Sequence, residues 1–192
     1  MNQKNHGFTL IEVSLVFGLA AAIFLMAFIA LPSLWISQRD AQRKANVMEL
    51  ISDLKIYQTN NSRGALPTLP TGNSNDFTLY TAQTETPAPA DGTWKYFVRN
   101  YVAKDFADPD MTDNGSNLHF TIYNCSPATA GSPCNNTKNN TDVSPAFDKK
   151  AIYIYIFTAA TCNGDHAVRA NSERSAAAIQ VLERGGRYCH ST

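Results

Sequence analysis

Between Phe8 and Ile36 the carboxylate of Glu12 is the sole formal charge in a long apolar run. A charge held in hydrocarbon costs roughly 2.5–3.5 kcal/mol at a helix centre and less near the interface. A membrane helix that keeps one has a use for it. Cleavage after Gly7 would leave Phe8 with a free amine four residues before Glu12. Positions four apart share a helix face, and in an assembly the amine of one subunit could meet the carboxylate of another. That chemistry is association rather than turnover.

Catalytic chemistry finds little support elsewhere. His6 lies in the first residues, His119 inside a strand signal, His166 in a turn signal and His190 near the end. The sequence has no Gly-x-Ser-x-Gly elbow and no phosphate-binding Walker loop; no enzyme activity and no cofactor is expected. Asp105, Asp108, Asp110 and Asp113 form an acidic segment ending at Asn114-Gly115. Calcium takes six to eight oxygen ligands, which makes the four a weak calcium candidate, but their spacing is not that of an EF-hand loop. An acidic turn whose Asp and Asn bond their own backbone explains the segment as well. Asn135-Asn136-Thr137 and Asn139-Asn140-Thr141 fit the glycosylation pattern, as an Asn-rich stretch does by chance.

Cys125, Cys134, Cys162 and Cys189 all follow the apolar run. An even count in an exported domain suggests two disulfides, with three connectivities open. Zinc is the rival reading, but there is no Cys-x-x-Cys pair and the spacings match no common finger. Nearest-neighbour pairing, Cys125–Cys134 and Cys162–Cys189, is the simplest choice. Such loops are worth roughly 2.7 and 3.6 kcal/mol on a chain-entropy model. The 16 basic and 16 acidic side chains balance, which argues against binding nucleic acid through its phosphates.

The elements that must carry these residues begin with one long helix, predicted from about Phe8 to Tyr57 and about 75 Å long. Its first half is apolar all round. In its second half Val47, Leu50, Ile51 and Leu54 recur at helical spacing among charged residues, so one stripe should pack on a globular domain. Gly18 and Pro32 are weak points, and Pro32 should kink or loosen the helix. Residues 58–92, rich in Asn, Ser, Thr, Pro and Gly, read as a connecting loop with a short strand near Phe77–Thr81. A short helix is predicted from Thr93 to Phe106, with Trp94, Phe97, Val98 and Tyr101 on its apolar face. Strand signals follow at Leu118–Tyr123, Ala151–Phe157, Ala177–Glu183 and Arg187–Cys189, the last two joined by a Gly185-Gly186 turn. In the second, Ile152, Ile154 and Ile156 share a face that should pack on the long helix.

The apolar run is a poor secretory signal peptide, because it is long and contains Glu12. It fits an ordinary membrane anchor well, since about 20 residues span a bilayer. The stretch Gly7-Phe8-Thr9-Leu10-Ile11-Glu12-Val13, with Lys4 ahead of it and the apolar helix behind, resembles the N-terminus of type IV pilins and pseudopilins. The resemblance covers about residues 4–50. It implies a leader, residues 1–7, removed by a prepilin peptidase that cuts after Gly7 and methylates Phe8. It also implies that Glu12 pairs with a neighbouring subunit's Phe8 amine.

The domains would then be a polymerising membrane helix over 8–36 and an exported domain over 37–192. The fold class would be α+β, a long N-terminal helix on a small antiparallel sheet, with Cys162–Cys189 similar to a pilin C-terminal disulfide loop. The precursor would sit in the cytoplasmic membrane as a single pass with its leader inside, and the mature chain in a surface filament used for adhesion, motility or uptake. Its partners would be the peptidase, the pilus assembly machinery and other copies of itself through their N-terminal helices. Arg39, Arg43 and Lys44, outside the membrane, would find partners across subunits. Two alternatives are a pseudopilin or minor pilin of a secretion or DNA-uptake machine, and a monomeric membrane-anchored binding module.

Overall fold

A computed structural model describes residues 8–61, 64–68, 74–103, 106, 108–109, 118–125 and 153–192. Helix α1 covers Leu10–Asn60 and continues through Gly18 and Pro32, so neither residue ends it. The chain divides into two compact units, Met1–Gln38 and Arg39–Thr192.

In the first unit α1 is the one helix among the described residues long and apolar enough to cross a membrane. Its large side chains are exposed, among them Phe17 (70 %), Phe28 (71 %) and Trp35 (64 %). Such a surface is consistent with membrane anchoring, since a helix on a soluble domain keeps a polar side.

In the second unit α1 is amphipathic. Val47, Leu50, Ile51, Leu54 and Tyr57 are buried in one apolar cluster with Trp94, Phe97, Phe120, Ile154 and Ile156. The isoleucine face of the second strand signal is therefore turned to the helix as expected for Ile154 and Ile156; Ile152 lies outside the described residues. The other elements are β1 (Ser74–Thr78), α2 (Leu79–Thr84), α3 (Trp94–Tyr101), β2 (His119–Asn124), β3 (Tyr153–Thr158), β4 (Ala160–Asn163), β5 (His166–Arg169), β6 (Ala176–Val181) and β7 (Arg187–Ser191).

The five-stranded sheet has the order β1-β2-β3-β6-β7. It is mixed rather than antiparallel, because β2 and β3 run parallel, with Phe120 opposite Ile154 and Ile122 opposite Ile156. A hairpin turn cannot make a parallel pair; a connection of a dozen or more residues can, and the chain between Asn124 and Tyr153 is long enough.

The alternation of β6 sorts its side chains between two layers. Ala176 and Ala178 join the cluster under α1, whereas Ala177, Ile179 and Val181 join a second cluster with Tyr155, Phe157, Ala160, Ala167 and Cys189. The second cluster lies beneath a hairpin, β4–β5, that the sequence reading missed. Asn163 pairs with His166, leaving the two-residue turn Gly164-Asp165, and Gly164 takes the positive φ (+66°) that such a turn favours. His166 thus begins a strand rather than lying in the turn.

Two further boundaries differ from expectation. The short strand lies earlier, at Ser74–Thr78, and ends in a helix whose Thr78 and Thr81 cap each other. Helix α3 stops at Tyr101 instead of Phe106, since Val102 turns extended (φ −81°, ψ 133°) and both Val102 and Phe106 are drawn into the core.

Candidate assembly site and the anchorage of its helix

Helix α1 opens with Thr9 and Glu12 bonded to each other. The Thr9 N–H donates to Glu12 Oε2 at 2.9 Å, the Thr9 hydroxyl donates to the same oxygen at 3.0 Å, and the Glu12 N–H donates to Thr9 Oγ1 at 3.4 Å. This is a Thr-x-x-Glu capping box, which satisfies backbone donors that have no partner inside the helix. The lone carboxylate at the head of the apolar helix therefore has a local role within the chain. The sequence reading missed this role, although the spacing of Thr9 and Glu12 displays it.

Phe8 precedes the cap and the helix start at Leu10, so it is outside the helix rather than on one helical face with Glu12, and it is 87 % exposed. Gly7 lies outside the described residues. Phe8 and Glu12 both stand open to a partner: a carboxylate with one oxygen engaged in the cap can still accept a cation.

The second half of α1 is held by charge as well as by apolar packing. Arg43 is fully buried. Its Nε and Nη2 donate to the two carboxylate oxygens of Asp108 at 2.8 Å each, and its Nη1 reaches Asp40 at 3.2 Å and Glu183 at 3.1 Å. The planar guanidinium suits such a two-pronged bond.

Glu183 also receives Arg39, with Nη2 donating to Oε2 at 2.8 Å. Asp40 accepts the Glu183 backbone N–H at 3.1 Å. Gln180, placed by the β6 alternation on the α1 side, donates to Asp108 at 3.3 Å. Burial alone would lower the pKa of Arg43, but the bonds and charge of Asp108, then those of Glu183, raise it above its ordinary value. Arg39 and Arg43 thus find partners inside the subunit instead of across subunits, and Lys44 lies 5.9 Å over the Tyr188 ring. Arg43 falls in register with Val47, Leu50 and Leu54; that signal could have marked it as buried.

Asp108, one of the four calcium candidates, is therefore a structural partner of Arg43; Asp105, Asp110 and Asp113 lie outside the described residues. No cluster of three or more metal-binding side chains occurs among the described residues. Cys162 of β4 and Cys189 of β7 are bonded (Cα–Cα 5.8 Å), tying the hairpin to the last strand. Cys125 is disulfide-bonded and buried, and its expected partner Cys134 lies outside the described residues. Comparison with protein-family models, characterised proteins and solved structures finds no match.

Proposed function

We propose that the chain is a type IV pilin: a precursor cut after Gly7, methylated at Phe8 and polymerised through its N-terminal helix into a surface filament. The observation that carries the reading is Glu12, placed after Gly7-Phe8 in the first turn of a helix whose apolar side chains are exposed all round. An exported, disulfide-bonded α+β domain behind that helix supports it.

Before assembly the amine of Phe8 and the carboxylate of Glu12 are both poorly placed in lipid. Packing a new subunit beside an older one lets them neutralise each other, and it fixes an axial register between helices that would otherwise slide. Removing one partner leaves the other uncompensated, which is costly in an apolar surround.

The test is direct. Fibre protein should begin at methylated Phe8 by N-terminal mass spectrometry. Glu12→Ala should still insert and be cut after Gly7, yet form few or no fibres. An intact Met1 on assembled material, or normal fibres built solely from the Glu12→Ala variant, would overturn the reading.

A further inference from the structure

The exported half of α1 has an unusual outer side. A surface helix ordinarily places its charges opposite its buried stripe. Here, at about 100° per residue, the side opposite Val47, Leu50 and Leu54 is formed by Ala41, Ala45, Met48, Ser52 and Ile56. None is charged and all are exposed, Met48 by 43 % and Ile56 by 49 %.

The charges sit on the two flanks of this strip, sorted by sign. Glu49 and Asp53 border one side and Lys55 the other. Among the described residues neither carboxylate has a cation partner and Lys55 has no carboxylate partner. Glu49 and Asp53, one turn apart, repel each other. Burial and then that repulsion push the Asp53 carboxyl up to about 6.

We propose that this outer side of α1 is a contact between copies of the chain, in which Lys55 of one copy lies against Glu49 and Asp53 of the next and the uncharged strips converge on a common axis. The occupant is a second copy in parallel orientation, because the two flanks of one helix carry opposite charges. Side-by-side parallel copies bring unlike flanks together, and where neighbours are also offset along the axis the contact is heterologous and continues as an open helix. Lys55 follows Asp53 by two residues and Glu49 by six, so the pairing sets an axial offset of about 3–9 Å between neighbours. The inference rests on the pilin reading and locates the subunit contact on the exported half of the helix, beyond Glu12.

The experiment is charge reversal in cells making the full chain, with sheared surface fibres quantified. Lys55→Glu, and Glu49→Lys combined with Asp53→Lys, should each lower fibre yield by about tenfold or more, since like charges brought together cost over 1.4 kcal/mol. All three changes together should restore it. Glu49 and Lys55 are exposed and Asp53 is half-buried, so the thermal midpoint of the detergent-extracted variants should stay within a few degrees of the parent chain and should not follow the fibre yield. Carbodiimide treatment of fibres should join Lys55 to Glu49 or Asp53 of another copy, identified with mixed isotope labelling. Full fibre yield from Lys55→Glu, or no recovery in the triple variant with its fold intact, overturns the contact and leaves the pilin reading standing. A parent chain that is never found in fibres overturns both.

Discussion

From Leu10 to Gln38 helix α1 exposes apolar side chains in every direction, whereas from Arg39 to Asn60 it buries one stripe and fixes it with ions. The two halves handle charge in opposite ways. The first keeps a single carboxylate, closed locally by Thr9 in the helix cap. The second buries a guanidinium and surrounds it with three carboxylates from α1, the 108–109 segment and the β6–β7 connection. One half leaves its apolar side chains uncovered, whereas the other buries its apolar stripe within its own domain. A helix continuous in sequence thus has two sources of stability, and changes on either side of Gln38 should have different readouts.

The largest effect on the domain should come from Arg43. Removing one partner of a buried pair leaves uncompensated charge, at a cost of about 3–5 kcal/mol. Arg43→Ala should therefore destabilise the second unit, residues 39–192, by about that amount in chemical denaturation of the detergent-solubilised chain, followed by near-ultraviolet circular dichroism. Arg43→Met with Asp108→Leu should recover much of the loss, because apolar replacement of a whole buried pair is often neutral. A loss below about 1 kcal/mol in the single variant would mean that water reaches the Arg43 cluster. The helical signal of the first half should be unaffected in either case.

Next is the disulfide. Cys162–Cys189 closes a loop of 27 residues holding β5 and β6, and Cys189→Ser should cost about 2–5 kcal/mol and increase protease cleavage of the hairpin. Normal protease resistance with Cys189→Ser would show that the second apolar cluster holds the hairpin unaided. Again the apolar first half of α1 should not respond.

Much of this division is legible in the chain. The apolar run and the later spacing of Val47, Leu50, Ile51 and Leu54 announce the change from one half to the other. The alternation of residues 152–157 gives the two faces of β3, because period two is the only way a strand can sort Ile from Tyr and Phe. What the sequence hides is long-range and polar. Nothing local shows that Asp108 is the partner of Arg43, 65 positions away, or that an acidic segment that reads as a turn contributes a buried carboxylate. The direction of β2 against β3 is likewise set by a tertiary crossover. The β4–β5 turn, by contrast, was written in Gly164-Asp165 and was overlooked because the strands beside it are four residues each. At the candidate site the spacing of Gly7, Phe8 and Glu12 could be read directly, and so could the cap, since Thr9 stands three residues before Glu12 at the head of the apolar run.

The smallest effect is the most discriminating, because it opposes stability to assembly at one residue. Asp53 is half-buried on the second half of α1, with its carboxyl pushed up to about 6 from 3.8 by burial and then by Glu49. A raised carboxyl pKa means the folded chain holds this proton more tightly than the unfolded one. Asp53 therefore makes folding less favourable once ionised: the chain gains stability from this group as pH falls from 6 towards 3.8 and loses it as pH rises back through that window. Asp53→Asn should stabilise the chain at neutral pH, by under about 1 kcal/mol because solvent screens a partly exposed group. The gain should shrink to nothing below about pH 4, where both states of the parent chain are protonated. If the same side chain meets Lys55 of a neighbouring copy, Asp53→Asn should also lower fibre yield. A variant that is more stable and assembles less well would show that the second half of α1, self-sufficient as part of a domain, keeps an ionised carboxylate for the contact between copies. A variant that is more stable and assembles as well as the parent would leave Glu49 as the only acid on that flank able to serve.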